Sequence, residues 1–419
     1  RRHEEALASY ERSLELKPDA DYVLGDLVHT QMKICDWTDL EARCQTLEQG
    51  LLKEGRASTP FGVLGLFDNP QLQRHCAKIY ANDKLGFKSP LGPVAKRGKG
   101  EKIRVGYFSM DFREHPVSHL IAELIECHDR SKFEIYGFSF GANTGDPMRK
   151  RLESAFDKFL EVRSLSDIDI ARLARDHEID IAIDLGGYTH NSRPAIFAHR
   201  AAPIQINYLG YPGTMGSTHW DYFIGDRVTV SDDNLEHFSE KVIFLPNSFQ
   251  ANPSQRPFGA EASSRTAYGL PESGFVFCCM NNPWKLTPEC LTRWAHILRG
   301  VSASVLWVHI DTTPARHRLE EAFEQLGVDS NRLVFFNKVT REVYFEQYQF
   351  ADLFLDTLPY NAGTTASDAL WMGLPVLTLA GRSFAGRMAA SLLQAVGLPE
   401  LITHTAEDYE SLAIELANN

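Results

Sequence analysis

A chain of 419 residues with 43% hydrophobic side chains can fill two or three separate cores, which excludes a disordered protein. Its formal charge of -12 argues against nucleic acid as the main partner, because phosphate backbones are met by clustered Lys and Arg. The seven cysteines, Cys35, Cys44, Cys76, Cys127, Cys278, Cys279 and Cys290, form no C-x-x-C pair, so no disulfide framework or zinc site is indicated; with no bilayer-length apolar run and no signal peptide, a cytoplasmic protein without membrane contact is expected.

The chain opens Arg1-Arg2 in what reads as the middle of a helical unit, so a piece of something longer is expected. Residues 3–19, HEEALASYERSLELKPD, form an amphipathic helix with Ala6, Leu7, Tyr10 and Leu14 on one face. Ala6, Tyr10, Ser13 and Pro18 match the second helix of a tetratricopeptide repeat, although any amphipathic helix ending at Pro can imitate that pattern. Residues 1–83 are read as a helical region with the remnant of such a repeat, and 84–101 as a linker with Pro90 and Pro93. The basic run AKRGKGEKIR (95–104) reads as solvated rather than as a binding patch.

From Lys102 short apolar, β-branched runs alternate with helical segments: 103–109, 133–140, 179–187, 203–210, 222–226 and 241–246. A polar, Pro-containing stretch at 247–264 interrupts the pattern, which resumes at 275–282, 304–310, 332–339, 352–356 and 375–380. Strands alternating with helices predict parallel, doubly wound sheets, so the fold class is α/β with two Rossmann-like halves, 102–250 and 251–419, facing each other across a cleft.

Loops at the carboxyl ends of such strands are where chemistry is expected. In LDTLPYNAGTTASDALWMGLPVLT (355–378) a strand ends near Asp356 and a helix runs from Thr365 to Met372. Gly363 lets the backbone turn, and Thr364 and Thr365 offer hydroxyl and N–H groups at a positive helix end, which suits either a cap or a phosphate. Two neighbouring loops tip the balance to phosphate: Asn282 and Lys285 follow the 275–282 strand, and Val339, Arg341 and Tyr344 could meet a base after the 332–339 strand.

In the first half, His115 and His119 are four apart, a metal-binding spacing on a helix, but Pro116 argues for a loop at His115 and a helix start near Ser118. An imidazole at a strand end is a candidate general base or hydroxyl-binding group. Pro212 and Thr214 lie in a Gly/Pro turn (209–217) whose backbone could approach a ligand closely. The Asp167-Ile168-Asp169 triplet precedes a helix and reads as capping. No metal is implied.

Taken together, DFREHPVSHL (111–120), RPAIFAHRAAPIQINYLGYPGTMG (193–216), FCCMNNPWKLTPE (277–289), SVLWVHI (304–310) and DLFLDTLPYNAGTTASDALWMGLPVLT (352–378) resemble the catalytic region of the O-linked N-acetylglucosamine transferases, the SPINDLY proteins and their bacterial relatives. The resemblance runs from about Cys35 to near the C-terminus. It implies a GT-B architecture and an inverting, metal-independent, cofactor-free transfer of N-acetylglucosamine from UDP-GlcNAc to Ser or Thr of protein or peptide acceptors. By position, it makes His115 the active-site histidine and Lys285 the diphosphate-holding lysine. Val339 and Arg341 match the uracil-contacting loop, Thr364 and Thr365 the phosphate-contacting threonines, Asp368 the acidic residue on the ribose, and Pro212 and Thr214 the acceptor-side turn. Three positions depart from the pattern: Asn282 stands where the animal enzymes have Gln, Gly363 where a His is typical, and Tyr344 where a base-stacking His is expected. GDP-fucose as donor, in the manner of the SPINDLY branch, and a catalytically weak scaffold are the alternatives. The family continues beyond the last helix here, and oligomers could form through repeats not present in this sequence.

Overall fold

The computed structural model describes all residues except 1, 96, 97, 99–101, 257–263, 337 and 338. Parts of the basic run and of the polar 247–264 stretch therefore lie outside the described residues. The chain divides into two compact units, one of Arg1–Ser58, Gly62–Asn69 and Arg256–Asn419, the other of Thr59–Phe61 and Pro70–Gln255.

The second of these carries a seven-stranded sheet: β1 (Ile103–Ser109), β2 (Phe133–Ser139), β3 (Lys158–Glu161), β4 (Ile181–Asp184), β5 (Ile204–Asn207), β6 (Tyr222–Gly225) and β7 (Lys241–Phe244). All pair in parallel, in the order β3-β2-β1-β4-β5-β6-β7. The first unit carries six: β8 (Phe275–Cys279), β9 (Ser304–His309), β10 (Leu333–Phe336), β11 (Leu353–Leu355), β12 (Val376–Leu379) and β13 (Ile402–Thr403), in the order β10-β9-β8-β11-β12-β13, again all parallel. Parallel sheets are covered by helices on both faces, which is why their central strands read as unbroken apolar runs. In β8, Val276, Phe277 and Cys278 are fully buried.

Eleven predicted strands are present, and two short ones lacked that signal. β3 is an edge strand of half-exposed residues, and β13 is two residues long. The helix after β1 begins at Pro116, two residues before its expected start, with His115 as its N-cap. The triplet at 167–169 does start a helix, capped by Ser166, whose hydroxyl accepts from Asp169 N at 3.3 Å.

The N-terminal helices are not a body of their own. His3–Leu16, Val23–Lys33 and Leu40–Leu52 belong with the β8–β13 sheet, whereas Pro70–Leu85 belongs with the β1–β7 sheet. The reason is apolar packing. Val28, Met32, Leu40, Trp37 and Leu66 share one cluster with Trp284, which lies in the loop after β8. Trp37 Nε1 also donates to Leu286 O at 2.9 Å, and Arg318 to Ile34 O at 3.1 Å. In the other unit, Tyr80 on Pro70–Leu85 meets the Tyr188 ring edge-on at 5.0 Å, and His219 Nε2 donates to Leu85 O at 3.1 Å. Among the described residues no helix is long and apolar enough to cross a membrane.

Gly65 is where this packing is tightest around the loop after β8. A Cβ there would fall 2.8 Å from the Trp284 ring, inside any tolerated contact. Gly65→Ala is expected to destabilise the fold by about 1–3 kcal/mol through overpacking. A urea midpoint equal to that of the parent chain would show that Trp284 is not held against this turn.

Candidate active site

Strand order reverses at two places, between β8 and β11 in one unit and between β1 and β4 in the other. In doubly wound sheets the crevice outside the carboxyl ends of the strands at such a reversal is the ligand site. The loops that leave these four strands carry most of the predicted functional residues.

At the β8/β11 reversal the organising group is Asp356, just past β11 and 4% exposed. Its carboxylate accepts from Thr357 N (2.8 Å), Ala362 N (2.7 Å) and the Thr378 hydroxyl (2.7 Å), with Asn281 Nδ2 at 3.4 Å. Burial pushes its pKa up to about 6 against the pull of these donors and of Lys285. The 357–362 loop folds over this carboxylate, and Asn361 presents its carbonyl to Lys285 Nζ at 2.9 Å. The Lys285 ammonium lies 4.4 Å from the centre of the Tyr360 ring. Although the side chain keeps partial solvent exposure, protein surrounds its charged end, and desolvation brings its pKa down to about 8 with Asp356 opposing the shift. At neutral pH the site therefore holds an ammonium and a buried carboxylate.

The helix Thr364–Trp371 starts here, with Gly363 at its N-cap. Gly363 turns the chain at φ -109° and ψ -86°, outside both the helical and the extended regions, without a left-handed backbone. Thr364 and Thr365 occupy the first turn, whose N–H groups lie outside the helical ladder. The Thr365 hydroxyl is committed: it donates to Asn281 Oδ1 at 2.6 Å, and Asn281 donates in turn to Thr357 Oγ1 at 2.9 Å. The group Thr365 leaves uncommitted at the helix start is thus its backbone N–H rather than its hydroxyl proton.

Two further residues are placed differently from expectation. Asp368 is 2% exposed and ion-paired with Arg256, which also donates to Ser367 Oγ at 3.2 Å, so its carboxylate is already engaged rather than open to sugar hydroxyls. Burial brings the Arg256 pKa down to about 10, with Arg341 adding to the shift. Tyr344, on the helix Arg341–Gln347, packs edge-on against Tyr348 at 5.1 Å and bonds to its hydroxyl at 2.5 Å. Its ring belongs to the core as much as to a base site. Asn282 caps the turn Pro283–Lys285 by accepting from Trp284 N at 3.4 Å. Val339 is 37% exposed after β10, and the Arg341 guanidinium lies 4.8 Å from the Phe345 ring centre. These two follow the outermost strand of the sheet, two strands away from the reversal.

At the β1/β4 reversal His115 follows β1. Its Nδ1 accepts from Val117 N at 3.3 Å and lies 3.5 Å from Asp111 Oδ2. Burial lowers its pKa, with Asp111 opposing and Arg113 assisting, so the neutral ring prevails at pH 7. Because Nδ1 accepts, the proton sits on Nε2, and the outward edge of the ring is a donor. His119 turns to another partner, Glu114. On the opposite side of the reversal Asp184 ends β4 and accepts from Gly186 N (2.9 Å), Gly187 N (3.0 Å) and Trp220 Nε1 (3.1 Å); burial pushes it to about 6.

The Gly/Pro turn is built for packing. A Cβ at Gly210 would fall 1.9 Å from Leu185 O, and one at Gly216 (φ +61°) 2.4 Å from Lys78 N. Pro212 is buried, and Thr214, 5% exposed, donates to buried Glu240 at 2.6 Å. Its hydroxyl is thus a bracket for Glu240. Asp111, Asp184, Asn281, Asp356 and Arg256 were all passed over in the sequence, although a carboxylate closing an apolar strand was a readable signal at Asp184 and Asp356. Among the described residues, no three His, Cys, Asp or Glu side chains are grouped to hold a metal ion.

The profile of glycosyl transferase family 41 matches residues 73–258 and 250–419. The chain is 32% identical over 420 residues to the probable UDP-N-acetylglucosamine–peptide N-acetylglucosaminyltransferase SEC of Arabidopsis thaliana, covering 94% of this chain and 42% of that protein. It is 32% identical over 330 residues to the similarly named SPINDLY of the same plant, covering 76% and 35% respectively. The chain thus spans less than half the length of these relatives. Among solved structures, a mutant of the Thermobaculum terrenum O-GlcNAc transferase superposes with a TM-score of 0.84 at 28% identity, over all of this chain and 80% of that one. Two parallel-sheet α/β domains of GT-B type, a preceding helical segment and a profile match across both sheets lead to one conclusion: the chain belongs to glycosyl transferase family 41.

Proposed function

We propose that this chain transfers N-acetylglucosamine from UDP-GlcNAc to Ser or Thr hydroxyls of proteins, with inversion at the anomeric carbon. The observation that carries this reading is the Lys285 ammonium beside the N-terminus of Thr364–Trp371, both at the β8/β11 reversal. A nucleoside diphosphate leaves with growing negative charge, and fixed positive groups at that point stabilise the transition state more than the ground state. Lys285 and the first-turn N–H groups of Thr364 and Thr365 take this role. Val339, Arg341 and Tyr344 are assigned to the base, as the relatives' donor, a uridine nucleotide sugar, suggests. Asp368 reaches the ribose only by sharing its carboxylate with Arg256.

His115 is assigned to a hydroxyl. A ring whose Nδ1 accepts from Val117 N carries its proton on Nε2, which suits orienting an oxygen better than removing a proton. The acceptor proton would then leave through water or a phosphate oxygen. Positive charge from Lys285 and the helix start supports a reaction that needs no divalent metal or cofactor. Seven free cysteines support a reducing, cytoplasmic setting.

Lys285→Met is expected to lower transfer about 10²–10³-fold, the range for loss of one leaving-group contact, and EDTA to leave the parent rate unchanged. A mutant with full activity would remove Lys285 from the mechanism. UDP affinity should be level just above pH 7 and fall about tenfold per pH unit once pH passes 8, because the Lys285 proton is lost there and only the ammonium attracts the diphosphate. Calorimetry of the parent and of Lys285→Met, whose weaker binding should stay flat, checks the sign. Tighter binding of GDP than of UDP would transfer the reading to a GDP-sugar donor.

A further inference from the structure

The helix Pro70–Leu85 forms one wall of an open groove of about 680 Å³. Gln71, Arg74, Lys78 and Asn82 line it and are exposed, and the facing wall includes Ser217 and His219. No Asp or Glu is among the lining residues. In the neighbouring acidic turn, Asp232–His237, Asp232 pairs with Arg227 and Glu236 with His237. A cationic groove on a chain of net charge -12 marks a place where negative partners are selected against the overall field.

The spacing identifies the partner more closely. Arg74 and Lys78 are one helical turn apart, about 6 Å along the axis. Alternate side chains of an extended peptide repeat at about 6.6 Å on one side of the chain. From Gln71 to Asn82 is about 16 Å, or roughly five extended residues. We propose that this groove binds an extended acidic peptide segment with carboxylates on alternate residues, Asp/Glu-x-Asp/Glu, Arg74 and Lys78 each taking one. Gln71, Asn82 and Ser217 supply hydrogen-bonding groups for its main chain. Exposed ion pairs are individually weak, so binding is modest and salt-sensitive. The proposal goes beyond the transfer reaction and is read by binding alone, so it stands or falls separately from the donor assignment.

The test is fluorescence anisotropy of the full chain with a labelled Glu-Ala-Glu-Ala-Glu peptide at low salt. Expected results are binding that is absent for the Gln-Ala-Gln-Ala-Gln peptide and weakened at least about tenfold by Arg74→Glu with Lys78→Glu. A control with the same charge change elsewhere, Lys17→Glu with Lys53→Glu, should keep the parent affinity. Equal losses in both double variants would mean bulk charge and overturn the site. Displacement of the peptide by inorganic phosphate at equal concentration would overturn it in favour of a simple anion site, and tighter binding of a single-stranded RNA would overturn the peptide assignment.

Discussion

A buried carboxylate needs donors, and Asp356 is the point from which the rest of the β8–β13 unit's site is arranged. Removing an unpaired carboxylate from water costs on the order of several kcal/mol, so the chain around it must supply hydrogen bonds. Thr357, Ala362 and Thr378 do so from three directions, and Asn281 brings in the loop from the neighbouring strand. Satisfying Asp356 forces residues 357–362 to curl over it. That curl places the Asn361 carbonyl for Lys285 and delivers the chain to Thr364 ready to start a helix.

The same device recurs at the β1/β4 reversal, where Asp184 gathers Gly186, Gly187 and Trp220. Burial raises both carboxylates to about 6, yet the two loops end in different chemistry. One reversal pairs its acid with an ammonium and a helix start, which suits a departing diphosphate. The other has a neutral imidazole, His115, whose Nδ1 accepts from Val117 N. The two reversals thus carry the same kind of buried acid with different neighbouring groups.

The helical segment takes part in this arrangement. Trp37 anchors Leu286, while Val28, Met32 and Leu66 pack around Trp284, so both flanks of Lys285 are held by the helices and turns that precede either sheet. The Lys285 ammonium also lies 5.7 Å from the centre of the Trp284 ring.

Sequence alone determined the α/β class, eleven of the thirteen strands found among the described residues and the identity of Lys285, Thr364 and His115 as strand-end residues. Those features are local: a parallel strand buried on both faces must be an apolar run, and a loop at its end must begin where the run stops. The edge strand β3 and the two-residue β13 escaped because neither buries enough to leave such a run. Only the tertiary structure decided that Asp368 is paired with Arg256, 112 residues away, that Thr214 is spent on Glu240, and that Thr365 gives its proton to Asn281. It also assigned the first helices to the later sheet and Pro70–Leu85 to the earlier one. A hydrogen bond or an indole contact between distant residues has no period and no spacing, so it exists for the reader only once the chain has folded.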